Sequence, residues 1–446
     1  MVQPLTGAIR TYPWGSRTAI AQMAGRPTPS DHPEAEMWFG AHPGAPATVD
    51  GEPLDVLIAS DSVSALGAGM SRAYEGRLPF LIKLLAADKP LSLQAHPTKE
   101  QAEEGCARED TLGIARDALE RNYRDDNHKP ELIVALTQFD AMCGFRPIEQ
   151  TLKLFDALSV PELERYRVLI SGILPSEGLR SLVTTWITLP SDQRKTLIAA
   201  VVEGARAYRD SGKTEFAMVA DHLIELADRY PSDPGVLCAL LLNHIRLEPG
   251  EGIYLNAGQL HAYVHGFGVE IMANSDNVLR GGLTSKHIDV PELVRVLSFD
   301  PLPDPVITPN QLTTGGSASG ESAGSQSSVQ GVFYPTPAPE FRLQRWELNS
   351  GQSVAVSSVA SDGKSLSEEL VGPAIVLCTR GTVHVSQPSA DDAPASEGDD
   401  HIRGDGFGPL DLTPSQAAWI PDDAESTLMT NTSDELAEVF VATVAG

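Results

Sequence analysis

From Ile148 to about residue 246 the apolar residues recur three and four positions apart, and on either side they do not. Leu152, Phe155 and Leu158 begin the pattern, and Leu163, Tyr166, Leu169 and Ile170 continue it. Leu197, Ile198, Val201, Val202 and Ala205 repeat it, as do Phe216, Val219, Leu223, Ile224 and Leu226, and Val236 to Ile245 follows. Residues at that spacing share one face of an α-helix, so the block predicts amphipathic helices over 148–246. The flanks read differently. Leu78 to Leu85 is a continuous apolar strand carrying one lysine, Lys83, and the aromatic-glycine segments Tyr12-Pro13-Trp14-Gly15 and Pro33-Glu34-Ala35-Glu36-Met37-Trp38-Phe39-Gly40 punctuate short strands and turns. Glu100 to Arg121 is a charged, solvated helical stretch. Strand character returns at Ile253-Tyr254-Leu255, and a helix from Val290 to Phe299 follows Asp289 as cap and Pro291 in its first turn.

A helical block between strand-rich blocks predicts a mainly β fold with an α-helical insertion. The expected parts are 1–147 and 247–312, which make one β domain, and 148–246, the insertion. Residues 313–330 are a Gly/Ser-rich linker, and 331–446 form a second small antiparallel sandwich or barrel. A chain of 446 residues exceeds one ordinary core, which agrees with more than one domain. Ser386 to Gly408 is acidic and polar, and reads as a long exposed loop.

Charge narrows the function. The net charge of −27 argues against nucleic acid or an anionic membrane as partner. No apolar run is long enough to span a bilayer, and Met1 to Arg10 carries no export signal. Cys106, Cys143, Cys238 and Cys378 are far apart and form no CxxC pair, which argues against a thiolate zinc site and a disulfide framework and fits a reducing cytoplasm. The chain is expected to act as a monomer. On so acidic a protein, a site for an anionic substrate must carry its own positive charge.

Four segments carry candidate chemistry. In Leu91-Ser92-Leu93-Gln94-Ala95-His96 apolar and polar residues alternate, so Gln94 and His96 share one face of a strand that Pro97 ends. A carboxamide oxygen and an imidazole can both bind a divalent metal; a solvated polar face is the plainer alternative. In Asp125-Asp126-Asn127-His128-Lys129-Pro130-Glu131 the glutamate opens the apolar run Leu132 to Leu136, where an unpaired carboxylate is costly. Asp125 and Asp126 read as a solvated turn. Gly250 to His261 is close to the second motif of the cupin jelly rolls: a strand, a tight turn, and a histidine opening the next strand. Asn256 stands where that motif more often has proline. In Glu270 to Lys286, Arg280 precedes Gly281-Gly282 and can reach an anion bidentately. Together Gln94, His96, Glu131 and His261 make a nitrogen and oxygen donor set without thiolate. Lys83, Lys129, Arg280 and Lys286 lie in these segments, which points to a phosphate or sugar-phosphate substrate. His222 and His244, in the helical block, have no ligand-like spacing.

In order along the chain come Tyr12-Pro13-Trp14-Gly15, Leu91 to Pro97, Asn127-His128-Lys129-Pro130-Glu131, Asn256-Ala257-Gly258 with His261-Ala262-Tyr263, and Ser275-Asp276-Asn277-Val278-Leu279-Arg280-Gly281-Gly282 with Thr284 and Lys286. This series resembles the type I phosphomannose isomerase family over most of 1–147 and 247–300. The resemblance implies two cupin-like jelly-roll β-barrels plus a helical domain. It implies interconversion of mannose 6-phosphate and fructose 6-phosphate with one zinc ion per chain. The ligands it implies are Gln94, His96, Glu131 and His261, the catalytic arginine is Arg280, and Lys129, Tyr263, Glu270, Asp276, Ser92, Lys83 and Lys286 line the pocket. Pro13 and Gly281 replace residues common in the family, and neither is a ligand position.

Such an isomerase moves a proton between adjacent carbons through an enediol. Arg280 would stabilise the developing charge. Lys129, Glu270, Asp276 and His128 are each candidates for the base, and Ser92, Lys286 and Lys83 for the phosphate. The competing classes are a non-haem iron oxygenase of the cupin type and a sugar-binding module without turnover. Gln94 and the cluster of bases weigh against the oxygenase.

Overall fold

The site-bearing sheet owes its two faces to period-two alternation. In the strands Leu93–Ala95, Phe139–Phe145, His261–Ala273 and Leu279–Gly282, the side chains of Leu93, Ala95, Met142, Ala262, Val264 and Leu279 enter one hydrophobic core. Trp186, Val201, Leu223 and Val236 of the helical block complete that core. The residues between them, Gln94, His261, Tyr263 and Arg280, therefore turn to the opposite face. A slip of one residue would exchange the two sets. It would expose leucines worth about 1.5–3 kcal/mol each on burial, so the register is strongly fixed.

These relations come from a computed structural model, which describes residues 1–171, 174–312, 329–356, 372–387, 409–422 and 427–445. Most of the expected 313–330 linker and of the acidic Ser386–Gly408 loop lies outside the described residues. The chain divides into two compact units: Met1–Ala86 with Val269–Ala273 and Thr308–Gly446, and Ala87–Gly268 with Asn274–Ile307.

In the second unit the helices run Ile148–Leu158, Glu164–Ser171, Pro175–Ile187, Ser191–Asp210, Ala217–Arg229 and Gly235–Ala239. The period did not carry to Ile245. After Ala239 the apolar run passes into the strand Leu242–Leu247, which pairs antiparallel with Phe139–Phe145. A short apolar run fits a buried strand as well as a helix, and the partner strand decides it. The charged stretch also differs from expectation. The helix Lys99–Thr111 ends well before Arg121, and Arg121 is buried, with Glu109 3.0 Å and Asp110 2.7 Å away. Paired in this way, a buried guanidinium is tolerable. The last helix, Val290–Val296, is capped as expected, with the Asp289 carboxylate accepting from the Glu292 amide.

In the first unit Glu36–Gly40 pairs with Ala8–Arg10 and with Phe80–Ala87. Its C-terminal part is a two-layer sandwich. Seven strands run in the order Gln3–Leu5, Ala417–Ile420, Ala374–Arg380, Ala437–Thr443, Arg342–Leu348, Gln330–Tyr334, Asn310–Leu312. Four more run Ser353–Ala355, Leu428–Asn431, Val383–Ser386, Leu410–Leu412. Trp346, Val376, Val439 and Val441 of one layer meet Val354, Val383, Val385 and Met429 of the other in a single core. The edge position of Gln3–Leu5 was not legible in the sequence. The fold is mainly β with an α-helical insertion. Among the described residues the strands form open-ended sheets, and no closed barrel is traced.

Candidate metal centre

Two imidazoles and a carboxylate converge in the interior of the second unit. His96, Glu131 and His261 are 1%, 4% and 2% exposed, and one ligand atom from each lies within 4.8 Å of the others. His96 sits just past the Leu93–Ala95 strand, Glu131 opens the strand Glu131–Ala135, and His261 opens His261–Ala273. The ring orientations are set from behind. His96 Nδ1 donates to the Asn277 carbonyl at 2.7 Å, and His261 Nδ1 donates to the Gln259 carbonyl at 2.9 Å. Each ring therefore turns its Nε2 forward, the arrangement of metal-binding histidines.

Both Nε2 atoms stand 3.5 Å from Glu131 Oε2. Donors about 2.1 Å from one ion at a tetrahedral angle are about 3.4 Å apart, so the spacing suits zinc. His96 Nε2 is a buried polar atom with no hydrogen-bond partner, the condition a bound cation would relieve. Burial, chiefly, lowers the His96 pKa to about 4, with Glu131 opposing and Lys129 and His261 assisting. Burial pushes the Glu131 carboxyl up, but Lys129, His96 and His261 together hold it well below its ordinary value. Lys129 Nζ is 3.1 Å from Glu131 Oε1.

The turn before His261 needs its glycine. Gly258 has φ +78°, and a Cβ there would meet the Ser298 amide and the Val296 carbonyl at 2.9 Å. This turn delivers the Gln259 carbonyl that orients His261. Gln94 lies opposite His261 on one side and opposite Arg280 on the other, both antiparallel. Directly opposed residues share a face, so Gln94, His261 and Arg280 form one row across three strands. Tyr263, two residues beyond His261, lies on that face with its ring edge against Phe139 at 5.3 Å. Ser92 is half-buried just before the first of these strands.

Positive charge gathers beside this row. Arg280 is held below its ordinary pKa by burial and by Arg124, and Lys286 by burial, Arg280 and Arg124. Among the described residues none of the three has an acidic partner at ion-pair distance. The reading of the sequence missed Arg124, which immediately precedes the segment Asp125 to Glu131, whose first two residues were taken for a solvated turn. That turn is more than solvated. Asp125 is largely buried and accepts from Ser275 Oγ at 2.8 Å, the Asp276 amide at 2.7 Å and the Asn127 amide at 3.0 Å. Asp276 itself is exposed.

Lys83 and Glu270 belong to the first unit. Lys83 is buried, not snorkelling. Its ammonium lies 2.6 Å from Glu270 Oε2 and 3.9 Å from Glu36 Oε1, and 5.6 Å from the centre of the Trp38 ring opposite it. His222 and His244 bond to each other at 2.9 Å, and His244 Nε2 donates to the Ala239 carbonyl. His222 also approaches Asp140, which Arg246 holds bidentately at 2.7 Å.

Residues 2–148 match the family model "phosphomannose isomerase type I, catalytic domain". The mannose-6-phosphate isomerase of Escherichia coli strain K12 is 36% identical over 370 residues, 79% of this chain and 85% of that protein. The human mannose-6-phosphate isomerase is 31% identical over 421 residues, 87% and 89% of the two chains. A zinc-bound mannose 6-phosphate isomerase structure superposes over 100% of both chains with TM-score 0.79 and 30% identity. So does that of the Salmonella typhimurium enzyme bound to its substrate fructose 6-phosphate and to zinc, with TM-score 0.79 and 30% identity. Among the described residues no helix is long and apolar enough to cross a membrane. The order of the motifs, the geometry of the donors and the extent of these matches agree: the chain is an enzyme of the type I phosphomannose isomerase family, the mannose-6-phosphate isomerases.

Proposed function

We propose that the chain interconverts mannose 6-phosphate and fructose 6-phosphate through an enediol, with one zinc ion held by Gln94, His96, Glu131 and His261. The observation that carries this is the convergence of two oriented Nε2 atoms on one buried carboxylate, one of them without a hydrogen-bond partner. Zinc bound there supplies a Lewis acid for the oxygens on C1 and C2. The chain's own groups do the rest. A proton leaves C2 and returns to C1, while the carbonyl moves from C1 to C2. Arg280, in the same cross-strand row as Gln94 and His261, offers a fixed cation to the negative charge that develops between those states. Lys129 is assigned the proton. Its Nζ lies 3.1 Å from Glu131 of the donor set, and as the neutral amine it would take the proton from C2; His128, Glu270 and Asp276 are the other candidates.

Lys286 and Ser92 take the phosphate, and Arg124 joins them: Arg280 and Arg124 both act on Lys286 to lower its pKa, a mutual repulsion that a bound anion would relieve. Tyr263 and Asp276 enter the pocket on the resemblance. The same reading keeps the divisions 1–147, 148–246, 247–312, 313–330 and 331–446, with cupin-like jelly rolls supported by the strand, the glycine turn and the strand that His261 opens. It places the chain in the cytoplasm as a monomer.

The test is a coupled assay for fructose 6-phosphate formed from mannose 6-phosphate, run with and without chelator. Turnover that chelation abolishes and zinc restores, unchanged under argon, supports the reading. Turnover insensitive to chelation, dependence on oxygen, or binding without turnover overturns it.

A further inference from the structure

We infer that Asn277 is the positioning residue that fixes His96 and the Arg124–Glu131 segment relative to each other, and through them sets the zinc affinity of the site. The inference rests on the reading of that site as a zinc centre. Asn277 is 0% exposed, and every polar group it owns is engaged. Its backbone carbonyl accepts His96 Nδ1–H at 2.7 Å. Its side-chain Oδ1 accepts the Arg124 amide at 2.7 Å and the Asp125 amide at 3.2 Å. Its Nδ2 donates to the Asp125 carbonyl and the Asn127 carbonyl, each at 2.8 Å, and to Asp125 Oδ1 at 3.1 Å. Its own amide donates to Ser275 Oγ at 3.1 Å.

The pattern admits one side-chain type. Two amides require an acceptor and two carbonyls require a donor on the same short planar group. Only a carboxamide has both, and rotating it by half a turn would set N–H against N–H. Aspartate would keep the acceptor but turn a carboxylate oxygen on two carbonyls and on Asp125. Alanine would remove the acceptor of two amides and the donor to two carbonyls, of which only the Asn127 carbonyl keeps a second donor, Ser275 Oγ at 3.2 Å. The segment so held runs directly into Lys129 and Glu131. Asn277 also stands three residues before Arg280, so it ties a zinc ligand, the segment bearing the carboxylate ligand and the strand bearing the arginine to one point. Groups behind metal ligands cost roughly 10–100-fold in metal affinity when removed.

The test measures zinc affinity of the full chain by competition with a chromophoric chelator, together with the visible absorption of the cobalt(II)-substituted protein. The control is Asn243→Ala. Asn243 Nδ2 also clamps backbone carbonyls, those of Cys143 at 3.1 Å and Leu302 at 2.8 Å, within the same unit; it stands behind Cys143, the cross-strand neighbour of His261, and bonds to none of the proposed donors itself. The expected result is a tenfold or greater loss of zinc affinity and an altered cobalt spectrum in Asn277→Ala and Asn277→Asp. Asn243→Ala should lose thermal stability but stay within twofold of wild type in zinc affinity. If Asn277→Ala does not fold, Asn277→Asp carries the comparison, and Ser275→Ala, which removes the acceptor of the Asn277 amide, should give a smaller loss in the same direction. Wild-type affinity in every Asn277 and Ser275 variant, or an equal loss in Asn243→Ala, overturns the inference alone. A wild-type chain that binds no zinc overturns the reading of the site and the inference with it.

Discussion

Acidifying the metal-free protein should weaken it through His96 by about 2 kcal/mol between pH 7 and pH 5. His96 titrates at about 4 in the folded chain against an ordinary value of 6.5, chiefly because burial opposes the charged ring. Its folded pKa is depressed, so its contribution to stability is whole above 6.5 and is lost as pH falls toward about 4. In that window the unfolded chain takes up a proton that the folded chain refuses. Linkage between the two values gives about 2 kcal/mol at pH 5 and about 3 kcal/mol at pH 4. The ring is 1% exposed, so solvent does not discount the figure. The assay is urea unfolding of chelator-treated wild type and His96→Gln at both pH values, with an NMR titration of the His96 ring. The wild type should lose about 2 kcal/mol more than the variant. Equal losses, or a His96 ring that titrates above 6, would refute the reasoning.

Arg280→Ala should lower kcat and kcat/KM together by on the order of 3 kcal/mol, since its charge partner forms only in the transition state. Lys286→Ala and Arg124→Ala should instead raise KM for mannose 6-phosphate by roughly tenfold with kcat nearly unchanged, because the phosphate is charged throughout; steady-state kinetics on the phosphorylated sugar separates the two patterns. His222→Ala and His244→Ala should leave the zinc content of the folded protein unchanged by elemental analysis, because their partners are each other, Ala239 and Asp140.

What the sequence disclosed followed from local rules. The helical period from Ile148 and the strand, glycine turn and strand opened by His261 are short-range patterns, and the structure keeps both. Gln94, His96, Glu131 and His261 stood out because polar groups in apolar strands need a reason. Asn277 did not stand out, because its partners lie far off: His96 is 181 positions away and Arg124 is 153. An asparagine between an aspartate and a valine looks like any turn residue. Lys83 raised a question that local rules could not answer, because its carboxylate partner Glu270 is 187 positions away. The strand Leu242–Leu247 was hidden for a related reason. Its apolar lead-in suits either structure, and only pairing with Phe139–Phe145 chooses.

The division of the chain also sets when its site can exist. The chain leaves one unit for the other after Ala86, Gly268, Ala273 and Ile307, so neither unit is a continuous stretch of sequence. His96, Glu131 and His261 are drawn from one unit but from distant points along it. At ~5–20 residues per second, synthesis from the first of these to the last takes on the order of ten seconds. For that interval the nascent chain holds isolated donors that cannot retain a metal, and closing the loops between them must precede any gain from the ion. Metal loading is therefore a late event in the life of each molecule, and a chain truncated before His261 should emerge from the ribosome without a zinc site.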